Sequence, residues 1–198
     1  MNKAVMKALV DVNAVKFGIF KLASGRISPI YIDLRILPSY PKEFGSIMDA
    51  FGKLVSGLDV DVVAGAETAG IPLATAIAIK TGLPMVYVRR RPKGYGTGSM
   101  IEGVLEQGKK VVLIDDIITN GGSKFRFIDG LKEAGGQVKD VAVVLDRNQG
   151  GSEMLEAEGI SLHALVSLKD LLAYMHGEGV VDQERYDQVM SYLSQKEE

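Results

Sequence analysis

The residues of this chain best suited to chemistry form one string: Val111-Val112-Leu113-Ile114-Asp115-Asp116-Ile117-Ile118-Thr119-Asn120-Gly121-Gly122-Ser123. Four apolar residues predict a central buried strand. Two adjacent acids then follow where a parallel strand ends and where such sheets bind ligands. Side chains alternate along a strand, so the two carboxylates cannot face one layer of core. Burying either without a partner costs roughly several kcal/mol, and a polar ligand accounts for both. Thr119 to Ser123 supplies hydroxyls and unhindered backbone N–H groups at the start of a predicted helix, which suits a phosphate monoester. Acids for hydroxyls beside amides for phosphate point to a ribose 5-phosphate. Asp115 and Asp116 would accept from its vicinal hydroxyls while its phosphate lies on residues 119–123. Taken alone, an Asp-Asp pair reads as a strand followed by an Asx-type helix cap; the combined string is far more specific.

Two other segments carry charge or open backbone. Ala64-Gly65-Ala66-Glu67-Thr68-Ala69-Gly70-Ile71-Pro72 follows a predicted strand and opens a helix, so its amides could hold a further anionic group. A plain strand-to-helix turn is an equal reading for Glu67 and Thr68. Residues 89–103 lack apolar periodicity and place Arg89, Arg90, Arg91 and Lys93 before the first acid, Glu102, with Gly94, Gly96, Gly98 and Gly103 among them. This reads as a flexible, strongly basic loop. No Gly-x-x-x-x-Gly-Lys-Ser/Thr occurs, since the one stretch with that glycine spacing, Gly103 to Lys109, continues into Lys110, and the loop glycines miss the Gly-x-Gly-x-x-Gly spacing, which argues against a Walker-type triphosphatase and a dinucleotide enzyme. His163 falls in an apolar strand and reads as a satisfied core residue, while His176 lies near a helix end, where its charge suits the dipole.

The elements that must position these groups follow the alternation of a parallel sheet. Strands are predicted at 61–65, 85–88, 110–114, 141–145 and 161–166, and their near-continuous Val/Ile/Leu content suits burial on both faces. Helices are predicted at 2–15, 41–57, 70–81, 121–134, 151–158, 168–176 and 182–195. Residues 17–37 break the rhythm and read as turns joining short extended pieces that fold over the sheet. The expected fold is therefore α/β, a central parallel β-sheet flanked by helices with a small N-terminal hood.

At 198 residues the prior is a single domain, divided into a hood over 1–37, a core over 42–166 and C-terminal helices over 167–198. With 23 Lys plus Arg against 25 Asp plus Glu, the balance argues against a surface built for nucleic acid. The absence of cysteine excludes disulfides, thiolate zinc, iron–sulfur clusters and a cysteine nucleophile. No signal peptide or membrane span is read, so a soluble cytoplasmic protein is expected.

The string from Val111 to Ser123 resembles the phosphoribosyl diphosphate (PRPP) signature of type I phosphoribosyltransferases, which are Mg2+-dependent. Three further segments are similar to the orotate phosphoribosyltransferase family in particular. They are Phe17-Gly18-x-Phe20-x-Leu22-x-Ser24-Gly25-x-x-Ser28-Pro29 in the hood, the loop 89–103, and Asp146-Arg147-Asn148-Gln149-Gly150-Gly151. The resemblance implies transfer of ribose 5-phosphate from PRPP to orotate. It implies that residues Asp115 to Ser123, including Ile117, Ile118, Asn120, Gly121 and Gly122, hold PRPP, and that the diphosphate lies on Glu67, Thr68, Ala69 and Gly70. It implies that Arg89, Arg90, Lys93 and Tyr95 reach the diphosphate from a mobile loop that enters the neighbouring subunit of a homodimer. It implies that Thr119 and Arg147 contact orotate, Arg147 facing the carboxylate, and that Tyr31 and Ile32 line the base pocket; a core role remains open for both. Mg2+ would be bound mainly by PRPP, with Lys93 and the loop arginines beside the leaving group; whether a protein carboxylate touches the metal is left open.

The chain departs from the family pattern at Ala23 and Ala69, where many relatives carry lysine, and at Tyr95, where they carry histidine. Tyrosine, with a pKa near 10, can donate a hydrogen bond there but carries no positive charge. Two rivals share part of the pattern: a type I transferase for another base, and a regulator that senses PRPP without catalysis. For Lys93, substitution by alanine is expected to lower turnover on the order of 10²–10³-fold, as for loss of one transition-state donor. Full turnover in a steady-state assay of that variant would remove Lys93 from the site.

Overall fold

A computed structural model describes residues 2–21, 25, 27–92 and 99–194. The first helix, α1 (Lys3–Asp11), is capped by the Asn2 side chain, which accepts from the Val5 N–H at 3.3 Å. It ends well before residue 15, because Asn13 turns into the left-handed region at φ 53° and the chain leaves as a strand. That strand, β1 (Val15–Lys21), pairs antiparallel with β2 (Ile27–Ile32), so the extended pieces expected over 17–37 are one hairpin.

The remaining elements alternate as the sequence predicts. They are α2 (Pro41–Val55), β3 (Val62–Ala66), α3 (Gly70–Thr81), β4 (Met85–Val88), β5 (Ile101–Glu102), β6 (Lys110–Ile118), α4 (Gly122–Glu133), β7 (Gln137–Asp146), α5 (Gly151–Ala157), β8 (Ser161–Ser167), α6 (Leu168–Gly177) and α7 (Gln183–Ser194). The main sheet runs β5-β4-β3-β6-β7-β8, parallel throughout except for β5, which lies antiparallel against the free edge of β4. The stretch 89–103, read as loop, thus contributes a short edge strand.

Burial on both faces explains the apolar runs. Along β6, Val112 and Ile114 enter one core layer with residues of α1, α2, α3, α6 and α7, whereas Val111 and Leu113 enter the other with α4 and α5. The same alternation holds in β7, with Ala142 and Val144 on one side and Val141 and Val143 on the other. No helix among the described residues is long and apolar enough to cross a membrane.

Two strands outrun their predicted ends. The strand β6 continues through both acids to Ile118, and β7 extends from Gln137 to Asp146, because Asp115, Ile117 and Ile118 pair with Val143, Leu145 and Asp146. Pairing of β3 with β6 stops at Gly65 and Ile114. Hydropathy could not show this, since a ladder is held by backbone groups whatever the side chains. At β3 the chain crosses through α3 to β4 on one side, and at β6 through α4 to β7 on the other. The loops after these adjacent strands therefore diverge, which is the crevice where open α/β sheets bind ligands.

Helix α3 sits close to β6 at Gly70, where an added Cβ would overlap the Ile114 carbonyl oxygen. Gly70→Ala should lower stability by about 1–3 kcal/mol through overpacking, or on the order of 2–10 °C in thermal midpoint. An unchanged midpoint by scanning calorimetry would contradict this close approach.

Candidate functional site

The divergence of the loops after β3 and β6 opens a cleft of about 880 Å³. Its floor is Asp115, Asp116 and Ile117 at the end of β6, and one wall is Thr119, Asn120, Gly122 and Ser123 with Lys124, Arg126 and Phe127 of α4. Glu67, Thr68, Ala69 and Arg90 form a second wall, and Tyr31, Ile32 and Arg35 close the cleft from the hairpin side.

The turn into α4 has the features of an anion cradle. Gly121 takes φ 81°, which permits the sharp entry, and α4 starts at Gly122, which with Ser123 lines the cleft. The Gly122 N–H donates to Asn120 Oδ1 at 3.3 Å, while the Lys124 N–H donates back to the Gly121 carbonyl at 2.8 Å. Asn120 and Ser123 are exposed and Thr119 is half-buried. Ile118 differs: its side chain is buried in the core, so only its backbone borders the turn.

The two acids are unlike one another. Asp115 is 8% exposed and is paired with Lys124, itself 4% exposed, so the partner that burial demands is internal. Its other oxygen accepts the Asp116 N–H at 2.9 Å. Asp116 is half-buried and accepts the Ile117 N–H at 2.9 Å through Oδ1. Burial, with the neighbouring Asp115 charge adding to it, pushes the Asp116 carboxyl up to about 7. The expectation that a ligand must account for both acids is therefore corrected for Asp115. A lysine in the first turn of a helix opposes the helix dipole, and that was the available sign that Lys124 answers a carboxylate.

The turn after β3 is tied to the base of the basic loop. The Glu67 carboxylate accepts the Arg90 N–H at 2.7 Å, and the Glu67 carbonyl accepts from Arg90 Nε at 3.1 Å. The Glu67 N–H is already used on the Val88 carbonyl at 3.0 Å, and the Glu67–Thr68 peptide is cis. Gly70 is buried against β6 rather than lining the cleft. Arg89 also lies outside the lining and pairs with Glu102 at 3.4 Å, across β4 and β5. Lys93 and Tyr95 fall outside the described residues.

On the hairpin side, Arg35 donates to Asp33 at 3.2 Å and to the Tyr31 hydroxyl at 2.7 Å, which orients that ring at the cleft mouth. Ile32 lines the cleft and also packs on the core, so its two readings coexist. Arg147 is half-buried on the turn after β7, where its N–H donates to the Ile118 carbonyl at 3.0 Å; it is not among the lining residues of this cleft. Arg35 and Arg126 were not singled out from the sequence, because isolated arginines carry no pattern until the fold gathers them. His163 is half-buried on β8 rather than a core residue, with Nε2 2.8 Å from Asp140 Oδ1. Lysine and arginine contribute Arg35, Arg90, Lys124 and Arg126 to the lining, against Glu67, Asp115 and Asp116. With Asp116 protonated up to about neutral pH, the cleft favours an anionic ligand.

The Asp116 shift fixes a pH dependence. The folded chain holds the proton from about 3.8, the ordinary value, up to about 7, where the unfolded chain has lost it. Stability attributable to this group is thus complete at low pH, falls as pH rises through that window and is flat above it. Asp116→Asn removes the ionisation, so its stability relative to the parent should rise from pH 4 to pH 8 by about 1–3 kcal/mol. Thermal unfolding of both proteins across that range checks it; a pH-independent difference would mean that Asp116 ionises normally.

A family model described as the phosphoribosyl transferase domain matches residues 40–158. The orotate phosphoribosyltransferase of Pyrobaculum aerophilum is 41% identical over 192 residues, covering 96% of this chain and 98% of that protein. Among solved structures, Leishmania donovani UMP synthase superposes with a TM-score of 0.86 at 34% identity, covering 96% of this chain and 41% of that longer one. The orotate phosphoribosyltransferase of Mycobacterium tuberculosis in complex with PRPP superposes with a TM-score of 0.71 at 31% identity, covering 86% of this chain and 99% of that one.

Proposed function

Because the chain belongs to the orotate phosphoribosyltransferase family, we propose that its cleft binds PRPP and orotate side by side and that the groups lining it carry the transfer. The reaction is movement of the 5-phosphoribosyl group from PRPP to orotate, giving orotidine 5′-monophosphate and diphosphate, a step of pyrimidine biosynthesis. The bond from the anomeric carbon to the diphosphate oxygen breaks and a bond to a ring nitrogen of orotate forms. The observation that carries the reading is the juxtaposition of an acid pair with an anion cradle at the point where β3 and β6 diverge.

Each group has a task in this reading. The amides and hydroxyls of Thr119 to Ser123 hold the 5-phosphate, and the acid pair accepts hydrogen bonds from the ribose hydroxyls. The leaving diphosphate lies toward Thr68, Ala69 and Arg90, where a cation offsets its growing negative charge. The other loop cations, Arg89 and Lys93, reach the diphosphate when the loop closes, and Tyr95 donates a hydrogen bond. Tyr31 and Ile32 border the base, Thr119 contacts it and Arg147 faces its carboxylate, for which a guanidinium fork is well shaped. Closure of residues 89–103 excludes water, which competes for the same carbon.

Among the described residues, no group of three or more His, Asp or Glu is gathered to hold a metal. Of the cleft carboxylates, Asp115 is engaged by Lys124 and Glu67 by Arg90. In this reading Mg2+ would be held mainly by PRPP, where it would offset the charge of the leaving diphosphate. The same reading makes the protein a cytoplasmic homodimer with loop 89–103 reaching the neighbouring subunit's cleft. The ion pair of Arg89 with Glu102 joins the two ends of that loop, and Ile79 and Val104, 79% and 81% exposed, offer apolar surface for a second copy.

The test is the loss of orotate absorbance on mixing the purified protein with PRPP and Mg2+, with adenine, guanine, hypoxanthine and uracil in parallel. Conversion of orotate alone is expected. Conversion of another base would keep the PRPP site and discard the task given to Arg147. No conversion with measurable PRPP binding would leave a regulator.

A further inference from the structure

A lysine buried to 4% exposure beneath a ligand cleft is costly unless its charge is answered and used. Lys124 is such a residue. It sits in the first turn of α4, where the dipole opposes it, and its Nζ reaches Asp115 Oδ2 across the floor of the cleft. The second oxygen of Asp115 is held by the Asp116 N–H at 2.9 Å. Asp116 in turn uses Oδ1 for the Ile117 N–H at 2.9 Å and its carboxyl lies beside that of Asp115; among the described residues no N–H is donated to its Oδ2. The three residues form a relay. The helix that begins the phosphate cradle reaches, through Lys124 and Asp115, the acid with an oxygen left for the ligand.

We propose that Lys124 is a positioning residue of the PRPP site: acting through Asp115, it fixes the acid pair so that Asp116 Oδ2 is presented to a ribose hydroxyl before the ligand arrives. The inference rests on PRPP being the occupant of the cleft. Its physical basis is preorganisation. A strand-end carboxylate with both oxygens held cannot turn toward solvent, so its lone pairs and the backbone that carries Asp116 are set in advance. The ammonium also offsets the buried Asp115 charge, which otherwise acts on Asp116 and on the phosphates of the ligand. Because α4 supplies both Lys124 and the amides of Gly122 and Ser123, one rigid element aligns the phosphate subsite with the ribose subsite. Arg126 lies on the same helix and Arg90 and Glu67 on the facing wall, but no hydrogen bond or ion pair joins them to Asp115 or Asp116.

The experiment compares the parent, Lys124→Met, Asp115→Asn and the double variant by steady-state kinetics and by calorimetric PRPP binding with Mg2+, from pH 5.5 to 9. Lys124→Met is expected to raise the KM for PRPP on the order of 10-fold, the size of one lost charge-assisted hydrogen bond, with kcat within about 3-fold and the KM for orotate unchanged. The limb of the PRPP kcat/KM profile belonging to the acid pair should move upward by about one pH unit once the cation is gone. Since Lys124 works through Asp115, adding Lys124→Met to Asp115→Asn should change the PRPP KM by less than about 2-fold. That comparison survives even if Lys124→Met alone fails to fold, because Asp115→Asn keeps an amide oxygen that can accept from the Lys124 ammonium and the double variant buries no unpaired charge. An unchanged PRPP KM and pH profile in Lys124→Met would overturn the proposal. So would a double variant that loses the full single-variant factor again, since Lys124 would then touch PRPP itself. A parent protein that binds no PRPP at all would instead overturn the reading of the cleft on which the inference stands.

Discussion

Strand β6 outlasts its neighbour β3, and much of the site depends on that stagger. Both strands are central and parallel, yet their pairing ends at Ile114 while β6 continues to Ile118 against β7 alone. From Asp115 onward one edge of the strand faces open space instead of a ladder. The chain crosses in opposite directions after the two strands, so among the described residues that space stays open, and the first turns of α3 and α4 stand on either side of it. Gly65 and Gly70 allow α3 to lie close enough to β3 and β6 for the walls to be firm: an added Cβ at Gly65 would come within 2.9 Å of the Gly70 carbonyl oxygen. The cleft is thus a consequence of strand order and register, with the two acids at the one place where a carboxylate on a central strand can meet a ligand.

Charge is arranged around that opening in layers of increasing exposure. Lys124 and Asp115 are buried and held by the sheet and α4. Arg90 is exposed but fastened by both its N–H and its Nε to Glu67. Arg35 is exposed and fastened to Asp33 and Tyr31 on the hairpin. A buried pair such as Lys124 with Asp115 contributes little to net stability, because desolvation offsets the attraction; its effect is felt in the electrostatics of the floor. The exposed pairs are worth less still as stability, but each holds a cation or a ring at the rim of the cleft.

The relation to known proteins follows the same division. The matched family span, 40–158, contains the acid pair, the cradle, the turn after β3 and the base of the basic loop. The hairpin residues Tyr31, Ile32 and Arg35 precede it, yet they close the cleft on the side assigned to the base. In the proposed reading the matched span holds the sugar phosphate and a separately built cover borders the base. Over nearly its full length the chain is matched by the Pyrobaculum aerophilum enzyme, so the cover belongs to the resemblance as well.

Local pattern was enough to determine the α/β rhythm, the Met85–Val88 strand, the Gly70–Thr81 helix and the acid-and-glycine string from Asp115 to Ser123, because these depend on side-chain type and spacing along a few consecutive residues. The early stop of α1 at Asp11, the edge strand Ile101–Glu102 and the extension of β6 through its acids were not determined in this way, because the left-handed turn at Asn13 into the hairpin decides the first and backbone pairing with another strand decides the other two. The same holds for chemistry. Asp115 and Asp116 look equivalent in the sequence; the arrival of Lys124 from the next helix makes one a buried ion-pair member, while burial and the neighbouring Asp115 charge make the other a raised, half-open acid. Arg35, Arg90 and Arg126 are unrelated in sequence and meet only around the cleft. Residue type can be read one position at a time, whereas charge compensation and desolvation are properties of neighbours, and neighbours across a parallel sheet are set by tertiary structure.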